Sequence, residues 1–313
     1  MTQLTFGDKR LQFDGGYLTR PTIDERFIIK VDTTNPGSAS DTMIIPTNGT
    51  NSYDCTVNWG DNSENDYNGL VPTIQHTYSI GGEYIITVSG TFPTIYFNNS
   101  GDKNKVIEIN NFGDMGWDTM FNSFYGCSNL ISVSGDNNFE NVKSLQAMFH
   151  SCVSLVDFRL ENCKLYNIET YYGLGQTFQN TRIPTIDLST WVINNIVDTN
   201  YMFFISTVES VIFPDNIKVG SLYRTFLNVS SLITCDLSNF DVSNLTTGFG
   251  ILAGANNWTD SQYDDVLEKW SEQILPYDIV ADFGDAKYQA SSLPYKTILT
   301  DTYNWTITDG GPA

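Results

Sequence analysis

Two histidines, five cysteines and a surplus of carboxylates are the side chains in this 313-residue sequence that could do chemistry. A catalytic triad or a zinc cluster needs imidazoles beside a nucleophile or beside further ligands. His76 and His150 are the only two, and a lone histidine is weak evidence for catalysis. Asp61, Glu64 and Asp66 offer the hard oxygens that calcium takes, but their spacing matches no EF-hand loop. They read as solvated turn carboxylates, and no metal ligand is assigned. Asp264 and Asp265 are adjacent, whereas a glycosidase needs two carboxyls held a fixed distance across a cleft. No GxSxG, P-loop or GxGxxG phrase opens a helix after a strand. A chemistry must be argued from a site, so the expectation is a protein that is not an enzyme, with no catalytic residue and no cofactor. Cys55, Cys127, Cys152, Cys163 and Cys235 are odd in number and form no CxxC pair, which favours small buried apolar side chains over a disulfide framework.

Charge narrows the partners. Against 16 basic residues stand 36 acidic ones, a formal net charge of -20, which repels phosphate backbones, so nucleic acid is not expected as a partner. Acidity alone would suggest disorder, but 17 Tyr, 19 Phe and 6 Trp demand burial, so the chain should fold. No stretch approaches the length of a bilayer span, so no membrane insertion is expected. Residues 1–24, with Asp8, Lys9, Arg10, Gly15, Gly16 and Pro21, contain no apolar core of a secretory signal and read as an attachment arm.

The elements beyond the arm fall into three patterns. Over 25–102, Phe27, Ile29 and Val31 alternate, as do Cys55, Val57 and Trp59, and Tyr84, Ile86 and Val88, the period of strands with one buried face. Asn35, Pro36 and Gly37, then Gly60 to Ser63, then Gly81 and Gly82 break them, so a small antiparallel β-sandwich is expected. Over 103–255 the period lengthens. Phe124, Phe149, Phe178, Phe203, Phe226 and Phe249 recur at intervals of 25, 29, 25, 23 and 23 residues. Apolar pairs follow five of them: Leu130 and Val133, Leu155 and Phe158, Ile183 and Ile186, Val208 and Val211, Leu232 and Cys235. One such unit cannot bury its own face, so the units should stack into a solenoid. The longest interval should carry a protruding loop around Tyr166, Tyr171 and Tyr172, and tyrosines on such a loop offer binding area at little entropic cost. Over 256–313, Thr259 and Gln262 form a capping box ahead of Tyr263, Val266, Leu267 and Trp270, an amphipathic helix that closes the stack, followed by a strand at Trp305 and Ile307.

Val57, Trp59, Gly60, Asp61 and Ser63, with His76, Thr77, Tyr78, Gly82, Tyr84, Ile86, Val88 and Gly90, resemble the WGDGS and HTYxxxGxYxV cores of polycystic-kidney-disease (PKD) type Ig-like domains. Phe124 to Leu130 and Cys235 to Leu245 resemble the BspA-like leucine-rich repeat FxGCSxLxSLDLSxFDTSNVT, while the repeats at Phe178 and Phe203 lack its GCS turn. The resemblance runs over about residues 25–311. It implies a mainly β fold with short helices, an Ig-like β-sandwich followed by a leucine-rich-repeat solenoid and a helix and strand cap. It further implies surface display and adhesion, in module series that also occur in phage tail and head appendages. The expected role is therefore a phage virion appendage, a head or tail fibre or decoration protein. Its expected partners are other virion proteins through the arm, a host cell-surface protein or glycan, and further copies of itself. A bacterial surface adhesin or a purely structural virion subunit are the alternatives.

Overall fold

The protein, seen in a computed structural model, is described over residues 24–313 apart from Tyr172. Of the residues before Asp24 only two backbone pairings are described, Thr5–Phe6 with Lys9–Arg10 and Phe13–Asp14 with Tyr17–Leu18. The expected attachment arm otherwise lies outside the described residues.

The described chain is mainly β with few, short helices. Its first part forms as the alternation requires. Phe27–Asp32, Ser52–Asn58 and Glu83–Thr91 pair antiparallel, with Phe27, Ile29, Val31, Val57, Trp59, Ile86 and Val88 all fully buried. Glu64–Leu70 extends this sheet beyond Ser52–Asn58, and Thr42–Pro46 pairs with Thr73–Thr77 in a separate two-stranded sheet. The sheet does not stop at the change of period. Val106–Asn111 pairs antiparallel with Phe27–Asp32 on one edge and parallel with Ser132–Val133 on the other, and Ser132–Val133 pairs parallel with Asp157–Phe158. One seven-stranded sheet therefore crosses from the alternating region into the repeats.

A buried polar knot fastens the same junction. Asp102 and Lys105 are 1% and 0% exposed. The Asp102 carboxylate accepts from the Ser38 amide at 2.6 Å, the Ser38 hydroxyl at 2.7 Å and the Ile44 amide at 2.7 Å. Lys105 Nζ donates to the carbonyls of Ala39 and Thr42 at 2.8 and 2.7 Å and lies 3.8 Å from Asp102. Burial pulls this lysine below its usual value, against the pull of the neighbouring carboxylate. Such groups are tolerable in an interior only because each is hydrogen-bonded.

The repeats stack turn upon turn. Every anchor pair expected from the spacing is buried, from Leu130 and Val133 to Leu232 and Cys235. Short strands at Thr185–Asp187, Ser210–Ile212 and Thr234–Cys235 pair in parallel as a second ladder. The two ladders are separate sheets, and the break between Asp157–Phe158 and Thr185–Asp187 falls in the longest repeat, where extra residues put Lys164–Leu165 against Val192–Ile193 instead.

Through the middle runs a column of rings. Phe97, Phe124, Phe149, Phe178, Phe203 and Phe226 succeed one another at centroid distances of 6.2, 5.9, 6.0, 5.6 and 5.0 Å, all but the first pair stacked. Each backbone N–H in the column donates to the next turn: Phe124 to Met148, Phe149 to Thr177, Phe178 to Met202 and Phe203 to Thr225, all at 2.9 to 3.0 Å. The expected sixth member, Phe249, is not in it. The Phe226 amide donates to the Ile251 carbonyl, so the column position one residue on is held by the buried Leu252, while Phe249 is 43% exposed. The column instead begins one turn earlier, at Phe97.

The far end closes as the capping box predicts. Asp260–Ser271 is an α-helix with Thr259 and Gln262 in reciprocal contact, and Tyr263, Val266, Leu267 and Trp270 are fully buried. It protects a sheet edge. Trp258 Nε1 and Gln262 Nε2 donate to the Cys235 carbonyl, Trp270 Nε1 to Leu237 and Gln273 Nε2 to Phe240. Side-chain donors thus occupy carbonyls that a further strand would otherwise take. Val280–Asp282 and Thr306–Thr308 pair in parallel, and the first of them bridges to Gly248.

The ring column predicts a position-dependent cost. Phe178→Ala, removing a fully buried ring between two stacked neighbours, should lower unfolding free energy by about 3–5 kcal/mol. Phe249→Ala should stay within about 0.5 kcal/mol, as surface substitutions do. Urea unfolding of both variants measures the difference.

A candidate binding face

Repetition places equivalent residues side by side, so a site in this fold is a set of columns. Two residues in each turn have positive φ: Asn122 and Gly126, Ala147 and Ser151, Gln176 and Asn180, Tyr201 and Ile205, Arg224 and Asn228, Gly250 and Gly254. Each pair is four residues apart, and their amides donate to the following turn, as Asn122 does to Gln146, Tyr201 to Tyr223 and Ile205 to Leu227. The left-handed conformation turns these N–H groups toward the neighbour and throws the side chains beside them outward as a ridge. Asn and Gly accept this conformation readily, but a β-branched residue there is an outlier. Ile205, at φ 51°, is such a residue, and it is 42% exposed.

The ridge is aromatic at both ends and amide-rich between. Near its start Tyr96 stacks on Phe121 at 6.3 Å and Tyr125 on His150 at 4.3 Å. Burial lowers the His150 ring to about 4, so it is neutral near pH 7. In the middle Gln146 donates to Gln176, which donates to Gln179. Toward the far end Tyr201 meets Phe204 at 5.6 Å and Tyr223 at 5.3 Å, and Tyr223 stacks on Phe249 at 5.8 Å. The Arg224 guanidinium lies 4.9 Å from the Tyr223 ring, 5.6 Å from Phe249 and 5.8 Å from Tyr201, and donates to the Tyr201 hydroxyl at 3.1 Å. Half-buried rings around a guanidinium are the composition of protein-interface anchors. This cluster is not legible in the sequence, because the partners it joins across turns are 22 to 26 residues apart and meet only through stacking.

Of the tyrosines picked from the longest repeat, Tyr166 is 38% and Tyr171 70% exposed, and Tyr172 lies outside the described residues. Neither belongs to the ridge. Asn195 Nδ2 holds the loop by donating to the carbonyls of Tyr166 and Ile168 at 3.3 and 2.9 Å.

The other singled-out residues have structural contacts. His76 Nε2 is 2.8 Å from Asp61 Oδ2, and its ring stacks on Trp59 at 5.1 Å and meets Tyr78 edge-on at 4.5 Å. Ser63 donates to the other Asp61 oxygen, which lowers that carboxyl against its desolvation. Asp66 accepts from Thr56. Among the described residues no group of three or more His, Cys, Asp or Glu side chains could hold a metal ion. All five cysteines are buried and free, and burial raises their thiols, Cys55 to about 11. No helix among the described residues is long and apolar enough to cross a membrane.

Residues 95–212 and 176–275 match a family described as "Mycoplasma protein of unknown function, DUF285". Together the two matches cover more than half of the 313 residues. The chain belongs to the DUF285 family. The DUF285 region starts two residues before Phe97, the first ring of the column, and ends after the capping helix, so it coincides with the stacked turns that carry the ridge. Neither the curated proteins nor the solved structures include a match to the chain.

The strained ridge residue gives a test of whether the surface is bought with stability. Ile205→Asn should raise unfolding free energy by about 1 kcal/mol, because asparagine tolerates the left-handed region that isoleucine pays to enter. Chemical denaturation of the two proteins checks it.

Proposed function

We propose that this DUF285 protein is a non-catalytic interaction protein of a phage particle, a head or tail fibre or decoration protein that contacts a host-surface protein or glycan. In this reading the first module is a PKD-type Ig-like sandwich, the stacked turns are a BspA-like leucine-rich-repeat solenoid, and residues 1–24 attach the chain to other virion proteins. The observation that carries the reading is the ridge. A fold whose buried column already satisfies its apolar residues has no packing need for Tyr201, Tyr223, Arg224 and Phe249 to cluster at the surface. Exposed aromatic clusters with arginine mark contact sites. The parallel pairing of successive turns and the motif residues around Trp59 and His76 support the two modules.

Co-sedimentation tests it in two arms. The full chain should bind purified particles saturably, and the version lacking residues 1–24 should not. The full chain should also bind host-cell envelopes, with Tyr223→Ala weakening that binding at least tenfold, the loss of one interface anchor of about 1.4 kcal/mol or more. Particle binding without envelope binding would leave a purely structural virion subunit, and envelope binding without particle binding would leave a bacterial adhesin.

A further inference from the structure

A groove of about 510 Å³ crosses four successive turns, lined by Thr170, Asn195, Lys218 and Ser243 in turn, with Ile196 and Asn244 beside them. At about 4.8 Å per parallel rung, those four positions span about 14 Å. Beneath them Val197–Asp198 pairs with Val219–Ser221 with a register shift that leaves Gly220 as the extra residue. The Asp198 carboxyl occupies the space this glycine vacates. A Cβ on Gly220 would lie 2.8 Å from Asp198 Oδ1, 3.1 Å from Ile196 Cγ2 and 3.5 Å from Thr170 Cγ2. The carboxyl therefore lies close to the methyl groups of Ile196 and Thr170, two of the groove-lining residues.

Asp198 is 7% exposed, and among the described residues no hydrogen bond or ion pair reaches its carboxyl oxygens. Burial pushes it up to about 6. The positions equivalent to Asp198, five residues ahead of each spine residue, hold Thr119, Ser144, Gly173, Ser221 and Thr247. The fold thus builds this turn five times with a small side chain and once with a largely buried carboxyl that no described side chain partners, where burial disfavours its charged form. A carboxyl kept against its own cost beside two of the groove's lining side chains is one that a donor entering the groove would stabilise.

The rest of the groove says what kind of donor. Asn195 spends its amide N–H groups on the Tyr166 and Ile168 carbonyls, and its oxygen accepts nothing from the described residues. Lys218 is exposed and forms no ion pair among the described residues, so it supplies a donor. The groove therefore presents both acceptors and donors along an elongated track, and hydroxyl groups are the ligand functions that answer both. Asp198, Asp241 and the net charge of -20 oppose an anion, and Lys218 opposes a cation.

We propose that this groove binds a short neutral oligosaccharide, with Asp198 and Asn195 accepting from its hydroxyls and Lys218 donating to them. The proposal rests on the reading of the chain as a binding protein and names the class of ligand for it.

The full-length protein should bind neutral glycans on an array carrying neutral and acidic oligosaccharides, and calorimetry with the best-bound neutral one should give a saturable isotherm. Asp198→Asn, which keeps the shape but loses an acceptor, should weaken that affinity at least tenfold without lowering the thermal midpoint. Ser243→Trp, an exposed substitution that fills the groove, should abolish it, and Ile233→Ser on the exposed strand side should leave it unchanged. No neutral glycan above background, equal affinity in Ser243→Trp, or binding confined to acidic glycans or to oligolysine would overturn the proposal. Envelope binding that persists in Ser243→Trp while no glycan binds would sink the groove alone. Loss of both envelope and glycan binding by the unmodified chain would sink the binding reading itself.

Discussion

A turn of this chain cannot satisfy itself. Its backbone N–H groups point along the stack and its phenylalanine has no partner within its own turn, so each unit is stable only when the next is in place. The consequence is a column of six rings from Phe97 to Phe226, each about 5 to 6 Å from the next, with amides donating from one turn to the following one. Two left-handed residues per turn follow from the same demand, since they aim further N–H groups at the neighbour. The ridge and the groove both descend from this constraint, because only strict stacking brings residues 22 to 29 positions apart into one surface.

A stack built this way has two open ends, and the chain closes them by different means. At the start, Val106–Asn111 takes an antiparallel partner from Phe27–Asp32 and a parallel partner from Ser132–Val133, so the first module serves as a cap that shares a sheet with the repeats. Asn111 reinforces the seam, its amide donating to the carbonyls of Asp24 and Arg26 while its oxygen accepts from the Asp136 amide. At the other end no strand is offered to the last short ladder. Indole and amide donors from Trp258, Gln262, Trp270 and Gln273 take its carbonyls, which leaves the edge unable to recruit a foreign strand.

What could be read from sequence tracks what is local or periodic. The alternation of Phe27, Ile29 and Val31, the capping box at Thr259 and Gln262, and the anchor pairs after each phenylalanine all depend on spacing alone, and all are seen. Phe249 continues an interval of 23 residues, yet the turn there is three residues longer and the buried Leu252 takes the place. Phe97 precedes the change of period, so the interval does not reach it. The candidate sites were harder. Tyr223 and Arg224 look like ordinary polar-face residues until the stack sets them beside Tyr201 and Phe249. Asp198 is one of 36 acidic residues in the sequence, and only its burial next to Gly220 separates it from the others. An outward cue did exist, since five of six equivalent positions are small or hydroxyl-bearing, but it is visible only once the register of the column is known.

The central claim is that the first module and the stacked turns form one cooperative structure, joined through Val106–Asn111 and carried by the ring column. Native-state hydrogen exchange tests this most directly, by following the amides of Ile29, Val88, Phe124, Phe178 and Phe226 in increasing urea. The account predicts that the amides on both sides of the seam open in a common global unfolding event with the same free energy and the same urea dependence. Exchange of the Ile29 and Val88 amides through an opening that leaves Phe124, Phe178 and Phe226 protected would contradict it.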